Sequence, residues 1–151
     1  MNYKLEKIII MPKRSKLTGN LYEPEWFTKY GRFLEQYPWD TVIVHRPYKV
    51  KLNEYNAERI YNKILKAKLG IEYLWYALEL DRDYNWVHSH ILTCQGDNPL
   101  HPNRHDIAKA IKRSVSEIKY FDHPESQQAI AHYCSKSISH NNIIGYGFLY
   151  K

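Results

Sequence analysis

Cysteine is scarce in this chain. Only Cys94 and Cys134 occur among its 151 residues, too few for a domain held together by several disulfides. A protein that does without disulfides suits a reducing compartment. We therefore expect it in the cytoplasm.

Long hydrophobic runs are also missing. The N-terminal stretch "MNYKLEKIIIMPKRSK" has an apolar run of only four residues before Pro12. A signal peptide or a membrane-spanning helix needs a longer one. We expect a soluble protein with no membrane partner.

The composition that is present favours a folded, basic domain. Hydrophobic residues make up 44% of the chain and the net charge is +6, so disorder is not expected and a polyanion such as nucleic acid is a reasonable partner. The 14 tyrosines and 4 tryptophans could pack in a core or stack on bases.

The apolar pattern predicts one α+β domain. From residue 40 onward, strands and helices follow in the order β-α-β-β-α-β-α, and the first six form the split pattern of ferredoxin-like or RRM-like antiparallel sheets with flanking helices. The segments are, in order, "DTVIVHRPY", "NEYNAERIYNKILKAKLG", "IEYLWYALEL", "WVHSHILT", "NRHDIAKAIKRSVSEI", "KYF" and "ESQQAIAHYCSKSI". Residues 40–151 would form the core. Residues 1–39 would be an extension that packs on it, with a strand in "EKIIIMP" and a helix in "PEWFTKYGRFLEQY".

Two histidines stand one residue apart in "NWVHSHILTC". On a strand, His88 and His90 project from the same face. The preceding strand carries Glu79 and Asp81 with the same spacing, and the turn-type cluster "DRDYN" makes the two strands an antiparallel hairpin. In one register Glu79 faces His90 and Asp81 faces His88; in the other, Glu79 faces His88. Either a metal site or a charge-neutralising pair of histidine and glutamate would result.

Two histidines and one carboxylate leave coordination positions open for water or substrate. Non-haem iron oxygenases use such a set, usually in all-β barrels, whereas this chain is rich in predicted helices and has only 6 glycines. A hard cation, Mg²⁺ or Mn²⁺, that polarises a phosphate suits the basic chain better.

The helix "AIAHYCSKSI" carries Tyr133 and Lys136, which share a face because they lie three residues apart. The ordinary pKa of a phenol is about 10, and a nearby cation or lysine would favour the phenolate. Tyr133 could instead be a core residue of an amphipathic helix, and "YKVK" repeats the spacing at Tyr48 and Lys51.

Together, "WYALELDRDYNWVHSHILT" and "AIAHYCSKSI" resemble the paired signature of the HUH endonuclease superfamily, above all its single-tyrosine Rep proteins, which initiate rolling-circle replication. The resemblance implies that His88, His90 and Glu79 bind a divalent cation, and Asp81 is the alternative to Glu79 as the third ligand. It implies that Tyr133 attacks a phosphate of single-stranded origin DNA, leaving a 3′-hydroxyl and a 5′-phosphotyrosine, and that Lys136 neutralises the phosphate.

The chain departs from the family pattern at named positions. Ser89 stands between the histidines where the family has a bulky apolar residue, and Ser137 stands where two-tyrosine members have their second tyrosine. No G-x-x-x-x-G-K-[ST] loop occurs, so a separate host or replicon helicase would unwind the DNA.

Other functions stay open on the sequence alone. Transposases and relaxases of the same superfamily share both motifs, and a non-catalytic RRM-like nucleic-acid binder could hold structural histidines. Lys109, Lys112 and Arg113 fall on one side of a predicted helix, as a row of phosphate contacts or as an ordinary solvated face.

Overall fold

A computed structural model of the chain describes residues 13–14, 21–22, 29–81, 86–122, 127–135 and 143–151. The strands are β1 Lys13–Arg14, β2 Leu21–Tyr22, β3 Thr41–His45, β4 Ile71–Leu80, β5 Val87–Gln95, β6 Ile118–Asp122 and β7 Ile143–Tyr150. The helices are α1 Lys29–Leu34, α2 Glu54–Lys66, α3 Arg104–Ile111 and α4 Gln127–Ser135, with a 3₁₀ turn at Val115–Glu117. None of the helices in these ranges has the length and apolar character needed to cross a bilayer.

The centre of the fold is a five-stranded sheet in the order β6-β3-β5-β4-β7. Every neighbouring pair in it is antiparallel. Strands β3 to β6, with α2 and α3 between them, follow the predicted split pattern. The predicted α+β class with a ferredoxin-like antiparallel sheet is confirmed.

Helices cover both faces of the sheet, because β4 is apolar on both sides. Leu74, Tyr76 and Leu78 point to a face that packs against α2 and α3, here called face A. Trp75 and Ala77 point to the opposite face, face B, where α1 and α4 pack. A strand buried on both faces has a nearly continuous hydrophobic sequence, as "IEYLWYALEL" does.

Helix α2 begins where the sequence predicts. The Asn53 side chain accepts hydrogen bonds from the backbone N–H groups of Tyr55 and Asn56 at 3.0 and 2.9 Å. The Asn56 side chain in return accepts from the Asn53 N–H at 2.7 Å. These bonds satisfy amide donors that have no partner within the helix itself.

Two elements differ from the sequence-based prediction. The helix expected over "NRHDIAKAIKRSVSEI" ends at Ile111, because Lys112 adopts a left-handed conformation with φ 56°. The final segment "IIGYGFLY", for which no strand was predicted, forms β7 along the edge of β4. The N-terminal "EKIIIMP", most of the "DRDYN" turn and the end of the "ESQQAIAHYCSKSI" helix lie outside the described residues.

The seam between α1 and α4 joins the N-terminal segment to the core. The His132 ring lies against Gly31, where any added Cβ would meet it. Its Nε2 lies 2.8 Å from Glu35 Oε2. Leu34, Trp39, Ile130 and Cys134 are buried together with Trp75 on face B. Helix α4 is therefore held against the sheet partly by residues before position 40.

A buried polar cluster occupies face A. His45 Nδ1 lies 2.8 Å from the Tyr61 hydroxyl, and its Nε2 lies 3.3 Å from Glu117 Oε1. Arg113 Nε donates to the same Glu117 oxygen at 3.1 Å. Burial lowers the pKa of His45 to about 4, although Glu117 opposes the shift. The imidazole is therefore neutral in the folded protein at pH 7.

This shift predicts that the protein loses stability in mild acid. The ordinary pKa of 6.5 applies in the unfolded chain, which therefore takes up the His45 proton first as the pH falls. The contribution of His45 to the free energy of unfolding is complete above pH 6.5 and declines toward pH 4. Between pH 7 and pH 5 the free energy of unfolding should fall by about 2 kcal/mol on this account. Urea titrations of wild type and His45→Gln across this range measure it. His105→Gln, an exposed control, should keep the wild-type slope; an unchanged slope in His45→Gln would contradict the prediction.

Candidate metal centre and tyrosine helix

The β4–β5 hairpin brings the three predicted ligands together on face B. Glu79 pairs directly with His88, and Ala77 pairs with His90. Of the two registers that the sequence allows, the structure has the one in which Glu79 faces His88. His90 follows one step along the same face, so its ring centroid lies 5.1 Å from that of His88.

The donor atoms of these residues converge on one point. Glu79 Oε2 lies 3.2 Å from His88 Nε2 and 3.5 Å from His90 Nε2. All three ligand atoms lie within 4.8 Å of one another. Two donor atoms held by one cation at about 2.1 Å and at right angles lie about 3 Å apart. The Glu79, His88 and His90 cluster could therefore hold a metal ion.

Asp81 belongs to the site in a different role from Glu79. Its Oδ1 lies 2.7 Å from His88 Nδ1, the nitrogen on the far side of the ring from Glu79. A carboxylate only accepts hydrogen bonds, so His88 Nδ1 carries the proton and directs Nε2 to the cluster. Histidine ligands of metals commonly have such a carboxylate partner, which fixes the ring and its tautomer.

Burial makes a cation at this cluster physically reasonable. Glu79, His88 and His90 are 4%, 8% and 5% exposed. A carboxylate taken this far out of water is costly unless positive charge lies beside it. A cation between His88 Nε2 and Glu79 would supply positive charge beside this buried carboxylate.

The predicted nucleophile faces the same cluster. Tyr133 lies on α4, with its ring centroid 5.7 Å from that of His90 and the ring planes at 81°. Its neighbours Ile130, Ala131 and Cys134 are buried on face B and fix the helix there. Tyr133 itself is partly buried and packs at the margin of that core.

The three predicted DNA-binding cations are not at this cluster. Lys136 lies outside the described residues. Lys109 is on α3, which packs on face A, while Lys112 and Arg113 lie beyond the end of that helix. The predicted helical row of three cations is therefore wrong: the chain leaves the helix at Lys112, and Arg113 bonds to Glu117. Helix α3 and the Arg113–Glu117 pair lie on face A, opposite the metal cluster, and a role of these three cations in phosphate binding stays a prediction.

Ser89 points away from the two histidines. It is fully buried on face A, directly across the β3–β5 pairing from His45. A hydroxyl-sized side chain there lies beside the polar cluster of His45, Tyr61 and Glu117. The departure from the family pattern therefore concerns the opposite face of the sheet from the cation ligands.

Sequence reasoning missed Arg46. Its Nη1 donates to Asp81 Oδ1 at 2.9 Å, the same oxygen that bonds to His88. A chain of contacts thus runs from Arg46 through Asp81 and His88 to Glu79. The position of Arg46, two residues after Val44 at the end of an apolar strand, places it on face B beside the histidines by strand alternation; that signal is visible in the sequence.

Comparison with known proteins gives no match: no family model, no curated protein and no solved structure is significantly similar to this chain.

Proposed function

We propose that this protein is a metal-dependent endonuclease and strand transferase of the HUH type, which nicks single-stranded DNA through a covalent 5′-phosphotyrosine and initiates rolling-circle replication. The observation that supports it most directly is the position of Tyr133, whose ring lies 5.7 Å from that of the cation ligand His90. A phenol and a cation site on one face of a sheet are the two groups that this reaction needs.

The ligand chemistry favours a phosphate substrate. Two imidazole nitrogens and one carboxylate oxygen occupy only part of a six-coordinate shell, which leaves room for substrate oxygens. Mg²⁺ or Mn²⁺ bound there would polarise a phosphate oxygen and stabilise the charge that develops on it. The net charge of +6 also favours a polyanionic substrate.

In the proposed step the Tyr133 oxygen attacks the phosphorus of a DNA phosphodiester. A bond forms between phosphorus and the phenol oxygen, and the bond from phosphorus to the 3′-oxygen breaks. The phenol proton is balanced by the proton that the departing 3′-oxygen gains as a hydroxyl. Because one phosphoester replaces another, the same residues can run the step backwards and rejoin a strand.

The test is the formation of a covalent complex. The protein is incubated with labelled single-stranded DNA from the neighbourhood of its own gene, with Mn²⁺ or with EDTA, and denatured before electrophoresis. The proposal expects a label that stays with the protein only when the metal is present, and a second product that ends in a 3′-hydroxyl.

Two other results would identify other functions. Tight binding with neither adduct nor cleavage under any divalent cation would contradict the proposal and favour a non-catalytic nucleic-acid binder. An adduct formed only on sequences of a transposon end or a transfer origin would keep the chemistry and replace the replication role by transposition or transfer.

A further inference from the structure

A cleft adjoins the metal cluster at the hairpin end of the sheet. Its volume is about 250 Å³, and its lining consists of Arg46, Pro47, Tyr48, Asp81, Trp86 and Val87. The cleft and the cluster share Asp81, whose Oδ1 contacts both Arg46 and His88. A ligand held in the cleft would therefore lie beside the cation ligands.

Two aromatic rings of the cleft are exposed. Tyr48 is 51% and Trp86 is 42% exposed. The Tyr48 ring is held by its hydroxyl, which bonds to the Ser116 hydroxyl, and the Trp86 backbone is held by its carbonyl, which accepts from the Asp81 N–H at 2.8 Å. Large exposed rings that are held in place beside a polar site are typical of binding surfaces.

The charge of the cleft favours an anion with a flat apolar face. The Arg46 side chain is 52% exposed, and only one of its guanidinium nitrogens donates to Asp81. A guanidinium has five N–H donors, so others can meet a phosphate oxygen. Lys49 and Lys51 follow in the same exposed segment. Aromatic rings beside cations are the usual elements of single-strand binding.

A single strand fits this cleft better than a duplex does. The faces of paired bases are covered by their neighbours in the stack, whereas an unpaired base can place its face on an aromatic side chain. An open cleft of about 250 Å³ is on the scale of one nucleotide.

We infer that the cleft of Arg46, Tyr48 and Trp86 binds one base of single-stranded DNA by stacking, next to the phosphate held at the cation cluster. The inference rests on the proposed function, since it takes DNA as the ligand of that cluster. Trp86 and Tyr48 supply the stacking surfaces. Arg46 contacts the phosphate that lies between the stacked base and the reacting phosphate.

The test is binding without chemistry. A fluorescein-labelled single-stranded oligothymidylate is titrated with the protein in EDTA, and its anisotropy gives the Kd. Trp86→Ala is expected to weaken binding about tenfold and Trp86→Phe by much less, because stacking on one aromatic ring contributes about 1–3 kcal/mol. Tyr48→Ala is expected to weaken binding several-fold. Tyr55→Ala, which removes a tyrosine on α2 that is more exposed than either cleft ring, is the control and should leave the Kd within about twofold.

The inference is overturned if Trp86→Ala changes the Kd by less than about twofold, or if Tyr55→Ala weakens binding as much. The covalent-complex assay distinguishes failure of the stacking inference from failure of the proposed function. An adduct in wild type combined with unchanged binding in Trp86→Ala overturns the stacking site alone. Trp86-dependent binding without any adduct supports the stacking site and overturns the nuclease.

Discussion

Tyr133→Phe is expected to abolish covalent attachment of DNA. Phenylalanine keeps the ring that packs against His90 and removes the phenol oxygen to which the phosphate would be attached. The rate of adduct formation should fall at least about a thousandfold, as it does when a covalent nucleophile is removed from an enzyme. Denaturing electrophoresis with Mn²⁺ and labelled single-stranded DNA measures it, while thermal stability and DNA binding should stay near those of wild type.

Tyr146→Phe is the matched control. Tyr146 is half exposed on β7 and pairs with Ala77, which itself pairs with His90, so it is a second tyrosine on face B. Loss of the Tyr146 hydroxyl should leave formation of the covalent adduct unchanged. If Tyr146→Phe removes the adduct and Tyr133→Phe does not, the nucleophile is Tyr146 on β7 and its assignment to α4 is wrong. Mass spectrometry of the tryptic DNA-linked peptide gives an independent assignment.

The second large effect concerns the cation. His88→Ala and Glu79→Gln are each expected to weaken Mn²⁺ binding more than about a hundredfold, whereas Asp81→Asn should weaken it about 10- to 100-fold. The difference follows from the geometry, because Glu79 Oε2 faces both imidazole Nε2 atoms while Asp81 reaches only the far nitrogen of His88. The electron paramagnetic resonance signal of free Mn²⁺ measures the affinity directly.

Glu58→Gln removes one exposed carboxylate on α2 and should leave Mn²⁺ binding unchanged. Equal losses from Glu79→Gln and Asp81→Asn would contradict the distinction between the two carboxylates. His88→Ala should also retain most of the affinity for DNA, since phosphate contacts come mainly from lysine and arginine. If the His88→Ala variant still cleaves DNA, the assignment of His88 as a ligand of the catalytic metal is wrong.

The sequence predicted the faces of the hairpin but not its register. Alternation puts Glu79 and Asp81 on one face of β4 and His88 and His90 on one face of β5. Sliding one strand by two residues keeps every side chain on its face, so both registers satisfied the pattern equally well. The structure pairs Glu79 with His88, and Asp81 then reaches the outer nitrogen of the same ring.

The elements at either end of the core were harder to predict. Strand β7 contains Gly145 and Gly147, which weaken strand propensity in sequence. In the fold Gly147 leaves space for the Tyr76 ring, where a Cβ would collide with it. The helix after Asn103 shows helical spacing past Ile111, yet Lys112 ends it in a left-handed conformation. The strand depends on contacts between residues distant in sequence, whereas the end of the helix is closed by local bonds from the Lys112 and Arg113 N–H groups to the Ala108 carbonyl.

The place of Tyr133 was predictable only in part. Apolar spacing puts it on a helix, and the structure has that helix as α4. The face of the sheet that α4 covers follows from the packing of Ile130 and Cys134 with Trp75, which local sequence does not encode. Arg46 and Trp86 each lie one residue outside a strand, so the alternation that places Arg46 on face B has to be continued past the end of the strand to find it.

The contact between Gly31 and His132 affects the direction in which the Tyr133 side chain points. Successive residues of an α-helix project about 100° apart around its axis. His132 is locked against the Gly31 backbone and Glu35 on one side of α4, so the rotation of the helix is set there, and Tyr133 is turned by one step toward His90. The direction in which the phenol points is thus decided by a residue without a side chain, in a segment that holds none of the proposed chemistry. A methyl group at position 31 would collide with His132, so we expect it to displace α4 and to disturb the direction in which the phenol points.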